Sequence, residues 1–479
     1  MTRSAFIPCA LAIALGAGSG AAQELQITGG YALRTYVEES VPDPALSSLP
    51  KQGQQLLGVS DEDPRTLLLW AFARAAISTR DVSLVTTLDT SVLTLRLDEP
   101  AADDSRFAMD GLAPSEALSE AAFAREAYLE WGVGHDHDAV VTLGKKRTLL
   151  LDGLFYDDYG TQAGIEWDAA SFSGWTLALS AMELLPHHYF TTLTPETRIS
   201  HVSVLLADVF DGFSAGALRF SDRTGVTASL VRNAIASDLM MDDKAGKGLV
   251  LSTFDLSGSV DLWTLYATAR WTAWFLTLKV MAAWQDGTSR FSWTKPGTAS
   301  EKGQPQAVQR KTDLSGTLLS LDVEVEALDA LRLTPFLLRL SGSSVPQGDG
   351  LWKPDQFLTL APSSDRLRIA LGSASGLAAD RDFRLLGTGG SGVMAWGIEA
   401  ELSAMDGLNL SDTAALVGSC RPGDPLFNRN LGVENDFTAL FEVVSGLALR
   451  VELDLLAPGA YFDASEWTVR GVGGVEGVF

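Results

Sequence analysis

The sequence predicts an all-β chain: a transmembrane antiparallel β-barrel of about 18 strands (16–20), with short periplasmic turns and long extracellular loops. Three observations predict it. Segments of roughly ten residues alternate apolar and polar side chains and are separated by turn residues. No later stretch offers about 20 unbroken apolar residues, so a helical membrane domain is excluded. Finally, a secretory leader opens the chain, and an amphipathic strand whose last residue is Phe479 closes it.

The leader spans 1–22. Arg3 supplies the positive charge, the apolar run Ala5 to Gly16 is too short to cross a membrane, and Gly20 and Ala22 precede a cleavage point at Gln23. Residues 23–479 are then expected to form one bacterial outer-membrane barrel. Cys9 falls in the leader, leaving Cys420 and no disulfide framework.

The alternation is regular. Ala127, Leu129, Trp131 and Val133 share one face, and Glu126, Tyr128 and Glu130 the other. The same holds for Trp274 to Ala282, for Leu319 to Ala327, for Met394 to Leu402 and for Leu447 to Leu455. A soluble β-sandwich has the same alternation. The leader favours a barrel, as do the aromatic residues near strand ends: Tyr31, Trp131, Trp167, Trp175, Trp263, Trp284, Trp396 and Trp467. In the last strand Val469 and Val475 share the face of Phe479.

Turn chemistry sets the parity. Asp406-Gly407, Ser445-Gly446, Asp211-Gly212, Ser173-Gly174, His135-Asp136 and the neighbourhood of Arg80-Asp81 read as short turns. Segments 39–65, 98–122, 150–161, 187–198, 287–312, 343–390, 419–428 and 458–465 read as outer loops. Leu367 to Leu371 looks like a strand, yet parity puts it within or folded over an outer loop. Segment 237–247 breaks the parity. Merging one pair near 225–257 brings the count from about 20 strands to 18.

Charge narrows the function. Lys and Arg number 36 and Asp and Glu 60, a formal charge of −24, which excludes nucleic acid as a partner. No Gly-x-Ser-x-Gly, phosphate loop or His-Glu-x-x-His is present, so no enzyme, metal site or cofactor is expected. His135-Asp136-His137-Asp138 reads as a solvated hairpin turn, His187-His188-Tyr189 as the start of an outer loop and Met240-Met241 as a turn.

Candidate lumen bases are Arg34, Arg96, Arg219, Arg270, Lys279, Arg332, Arg450 and Arg470. Candidate lumen acids are Glu126, Glu130, Asp322, Glu324, Glu399, Glu401, Glu434, Asp436, Glu452 and Asp454. Rings of Arg or Lys side chains around a pore select anions. Acids at least as numerous as bases fit a cation-preferring pore, or Arg–carboxylate ladders with a local basic constriction.

Four segments together resemble the alginate export family of outer-membrane barrels. Arg125 to Trp131 is similar to its "REAY" strand, and Val141 to Arg147 to its "LGRQ" strand. Asn430 to Asp436 resembles its "nlGtEiD" strand, and Leu455 to Phe462 its "flPGdyF" motif. The family's Gly-Arg-Gln is Gly144-Lys145-Lys146 here. The resemblance implies about 18 strands and export of an anionic polysaccharide through an Arg-rich lumen. It also implies partners: outer-membrane lipids, the barrel assembly machinery and a periplasmic polysaccharide secretion complex. The residues alone leave two solute classes open, an anionic polysaccharide or small anionic solute, and the cations of a general diffusion porin.

Overall fold

The computed structural model describes residues 24–39, 65–78, 81–90, 93–96, 122–133, 138–172, 175–186, 198–207, 212–223, 257–295, 306–342, 357–359, 366–368, 392–418, 430–458 and 468–478. The leader, the histidine turn 134–137, His187-His188, segment 237–247, Cys420 and Phe479 lie outside them.

Among the described residues there are nineteen strands. They are β1 (Glu24–Glu39), β2 (Arg65–Ser78), β3 (Val82–Thr90), β4 (Leu93–Arg96), β5 (Ala122–Val133), β6 (Ala139–Leu150), β7 (Tyr156–Phe172), β8 (Trp175–Pro186), β9 (Arg198–Ala207) and β10 (Gly212–Asp222). They continue with β11 (Ser257–Ala273), β12 (Leu276–Lys295), β13 (Gln306–Leu328), β14 (Leu331–Leu340), β15 (Val393–Met405), β16 (Leu408–Gly418), β17 (Asn430–Val444), β18 (Leu447–Pro458) and β19 (Thr468–Val478). All pair antiparallel in one sheet. β1 pairs with β2 on one flank and with β19 on the other, so the ladder returns to its start. β3 and β4 lie end to end against β2, with Ser78 opposite Ser83 and Leu69 opposite Leu93. The two fill one position, so nineteen strands make an eighteen-position wall.

Alternation sorts the wall into two faces. Trp131, Ile165, Trp167, Leu265, Trp396, Ile398, Leu449 and Val451 are exposed, all on the outward face. On β11 the outward sequence runs from Trp271 through Ala269, Ala267 and Leu265 to Trp263. Eight residues at about 3.3 Å each, tilted by about 40°, rise roughly 20 Å, close to the apolar band of a membrane barrel. The two tryptophans sit at its edges, as an aromatic girdle requires.

Short hairpins close one end. At Asp406-Gly407 and Ser445-Gly446 the glycines have φ of +80° and +83°, a region open to Gly at little cost. A one-residue register shift precedes each turn, in β15 and in β17. At the β1–β19 junction the Tyr31 ring covers Gly477, where an added Cβ would stand 2.4 Å from Tyr31 Cε1.

The loop end differs from expectation twice. Segment 287–312 is not one long loop. β12 continues to Lys295 and pairs back with β13 from Gln306, because cross-strand partners extend the hairpin beyond the apolar band. Segment 150–161 is a five-residue connection, 151–155, and β7 begins at Tyr156. Leu151 and Asp152 take positive φ, and Leu154 N–H donates to Leu151 O at 2.9 Å. The turn folds inward because Leu151, Leu154 and Phe155 bury there, Phe155 completely.

That turn belongs to an apolar cluster inside the loop-end half of the barrel. Leu184, Ile199, Leu218, Phe220, Leu262, Leu318, Phe336, Leu338, Leu340, Ala395 and Val417 point inward from the wall. Phe155, Phe357 and Leu367 enter from connections and cover them. Inward apolar side chains on strand ends are thus satisfied by chain folded into the lumen, and water is excluded from both.

Candidate functional site

The charged lumen lies directly below that cluster. Its central element is the connection between β14 and β15, within the segment expected as outer loop 343–390. Phe357 N–H donates to Ser341 O at 3.0 Å, extending β14 by one partner. Gln285, fully buried on β12, then imitates a strand partner: its amide donates to Leu358 O at 3.0 Å and its oxygen accepts from Leu358 N–H at 2.7 Å. This pins the chain inside the wall. The described part of the strand-like stretch, 366–368, follows in the interior.

Arg366 and Arg368 flank buried Leu367 and meet wall carboxylates. Arg366 NH1 lies 2.8 Å from Asp322 Oδ1, and its Nε donates to Glu399 Oε2 at 2.6 Å. The guanidinium also stands 5.4 Å over the Phe336 ring. Arg368 continues along the same side of the wall, to β17 and β18. Its backbone N–H donates to Asp436 Oδ2 at 2.9 Å, NH1 to Asp454 Oδ1 at 3.0 Å and NH2 to Thr438 Oγ1 at 2.6 Å. Burial opposes the charge of Arg368, but Asp454, Glu452 and Asp436 outweigh it and raise its pKa above the ordinary value. Arg366 behaves alike: burial is outweighed by Asp322 and Glu399. Asp436, Asp454, Glu434 and Glu452 are each almost fully buried. Arg368 sets a positive charge against Asp436 and Asp454, as Arg450 does against Glu452. The pairing is incomplete: Arg368 Nε and Asp436 Oδ1 are buried with no hydrogen-bond partner.

Toward the short-turn end the lumen opens. Arg270 faces Lys279 across β11 and β12, and Lys279 pairs with Glu324. Glu324 lies within electrostatic reach of Lys279, Arg332 and Arg270. Arg332 pairs in turn with Glu401. A cavity of about 1390 Å³ lies here, with Arg332, Glu326, Glu401, Asn409 and Ser411 in its lining. Elsewhere on the wall, Arg450 pairs with Glu452, Glu130 accepts from Lys146 at 2.7 Å, and Glu126 accepts from Thr87 at 2.9 Å.

The ten acids named from sequence therefore all face inward, and Arg270, Lys279, Arg332 and Arg450 face inward with them. The side chains of Arg34, Arg96 and Arg470 lie outside the described residues. Arg219 is a correction. It stands opposite Trp263 on the outward face, while its neighbours Leu218 and Phe220 are buried inside. The apolar phase of β10 marks lipid only if the lumen is wet. Here the lumen side is covered by inserted chain, and the phase inverts. Sequence reasoning also missed Lys146, Arg366 and Arg368. The signal for the last two was the alternation around Leu367, a strand-like stretch with basic residues in a loop.

No family model and no curated protein matches the sequence. Solved structures do match. A BenF-like porin from Pseudomonas fluorescens Pf-5 is similar over 95% of this chain and 98% of its own, with TM-score 0.51 and 9% identity. OccK9 of Pseudomonas aeruginosa follows with TM-score 0.49 and 12% identity, again over 95% and 98%. OccK2 of Pseudomonas aeruginosa, crystallised with glucuronate, has TM-score 0.49 and 10% identity over the same shares. At such identities the likeness is one of fold. The chain is an all-β antiparallel barrel with the fold of an outer-membrane porin.

Proposed function

We propose that the chain is an outer-membrane channel, a passive pore and not an enzyme, that passes small solutes through a charged constriction. The observation that carries this reading is the seating of 366–368 inside the barrel, along the wall from Asp322 and Glu399 of β13 and β15 to Asp436 and Asp454 of β17 and β18. A segment held this way narrows the lumen while leaving charged side chains along it. The mature chain would begin near Gln23, after export by its leader, and depend on the barrel assembly machinery for insertion.

Small anionic solutes are the preferred cargo. A carboxylate can displace Glu324 from Lys279, Arg270 and Arg332, exchanging one acid for another in the open half of the lumen. Export of an anionic polysaccharide, implied by the resemblance to alginate exporters, would use the same basic side chains for a longer anion. A second reading is a cation-preferring diffusion porin. It draws on the six acids at the constriction, Asp322, Glu399, Glu434, Asp436, Glu452 and Asp454, set against Arg366, Arg368 and Arg450.

Planar-bilayer recording in a KCl gradient separates the two. Anion selectivity, with block by uronate fragments that is lost in Lys279→Gln/Arg332→Gln, supports the anionic cargo. Cation selectivity without block leaves the diffusion porin. Absence of any conductance, from protein shown to be inserted, would overturn the channel itself.

A further inference from the structure

The outward face carries a charged site that a channel does not need. Four neighbouring strands change character at one height. On β9, Val204 and Val202 give way to Ser200 and Arg198; on β11, Leu265 and Trp263 give way to Asp261 and Ser259. β10 places Arg219 and then Ser221 and Arg223 at this level, and β12 places Thr288 and Arg290. The change falls just above Trp263, at the loop-end edge of the apolar band. Ordinary lipid-facing strands end there in mixed polar residues; here four arginines surround one groove.

The groove has a volume of about 680 Å³ and is lined by Arg198, Arg219, Arg223 and Arg290, with Glu183 and Asp261 as its acids. Four guanidiniums against two carboxylates leave a local positive surplus on a chain of formal charge −24. The acids are already engaged. Arg219 holds Asp261 through Nε at 3.1 Å and NH2 at 3.0 Å and lies 5.5 Å over the Trp263 ring. Glu183 accepts from Ser200 Oγ at 2.6 Å. Arg198, Arg223 and Arg290 make no ion pair among the described residues. Three guanidiniums from different strands thus border one groove unneutralised, and exposed Val202, Leu265 and Trp263 form an apolar shelf beneath them.

We infer that this groove docks the phosphate-bearing headgroup of a lipid in the outer leaflet, with acyl chains lying along the shelf. Guanidiniums match phosphate oxygens in charge and planar geometry. The shelf decides the source. A free phosphate gains nothing from Val202, Leu265 and Trp263, whereas a lipid satisfies both halves. The inference rests on the reading of the chain as an outer-membrane barrel.

Native mass spectrometry of the refolded mature chain in detergent tests it, with diphosphorylated lipid A, its dephosphorylated form and inorganic phosphate as probes. Protease protection in vesicles first establishes insertion. Failure to insert would overturn the outer-membrane reading and this inference together. Given insertion, roughly tenfold or greater preference for the diphosphorylated lipid is expected. Arg198→Gln/Arg223→Gln/Arg290→Gln should abolish that preference, and Arg339→Gln, exposed on β14, should keep it. Equal binding of both lipids by the unaltered chain overturns the inference without reference to any variant. Displacement of bound lipid by equimolar inorganic phosphate does so as well, leaving an anion site only.

Discussion

The two halves of the barrel interior obey different rules. In the loop-end half, inward Leu, Phe, Val and Ala are buried by Phe155, Phe357 and Leu367, and polar residues among them such as Gln285 and Asp157 are buried and hydrogen-bonded. In the short-turn half, inward positions include Lys279, Arg332 and Glu401, partly exposed, and Glu324, largely covered, all paired across strands. The same wall, with the same period-2 alternation, is a packed core at one end and a wet passage at the other. Burial by inserted chain makes the difference. It costs a loop its freedom, recovered through apolar burial and through two arginines that satisfy buried acids.

Substitutions test this contrast. The largest effect is expected from Arg368→Ala, which leaves Asp436 and Asp454 buried and uncompensated. It should cost about 3–5 kcal/mol in a urea titration of vesicle-inserted protein. Single-channel conductance should rise in the same variant, because the inserted segment loses its anchor on β17 and β18; unchanged conductance would detach the segment from the constriction. Phe155→Ala, deep in the apolar half, should cost about 3–4 kcal/mol with little change in ion selectivity. Gly477→Val at the β1–β19 junction drives a side chain into the Tyr31 ring and should cost about 1–3 kcal/mol, read as a lower temperature for loss of the compact gel band. Lys279→Gln, in the wet half, should cost under about 1 kcal/mol, since its pair with Glu324 is solvent-screened. Its reversal potential should nevertheless shift toward cations. A large stability loss from Lys279→Gln would erase the distinction between the halves.

Much of this was legible beforehand, and the failures share a cause. The outward phase of β5, β12, β13, β15 and β18 follows from alternation, because lipid on one side and charge on the other leave no ambiguity. So do the inward directions of the ten acids. Arg219 was misread because Leu218 and Phe220, the apolar residues of β10, face inserted chain instead of lipid. The 150–161 connection was misread for the same reason, since Leu154 and Phe155 are a buried turn. Arg368 lies 68 residues from Asp436 and 86 from Asp454, and no local pattern announces a pair between a connection and strands that distant in sequence.

By itself the sequence determined the all-β class, the outward face of most strands and the acidity of the lumen. Those properties depend on residues two apart on one strand, and the pleat fixes their directions. Tertiary structure alone decided that the loop-end lumen is packed, that Arg366 and Arg368 neutralise its acids and that Arg219 joins an outward basic groove. Each of these depends on which distant segment covers a strand face. Alternation records that one face is apolar; what lies against that face is settled only when the chain folds back into its own barrel.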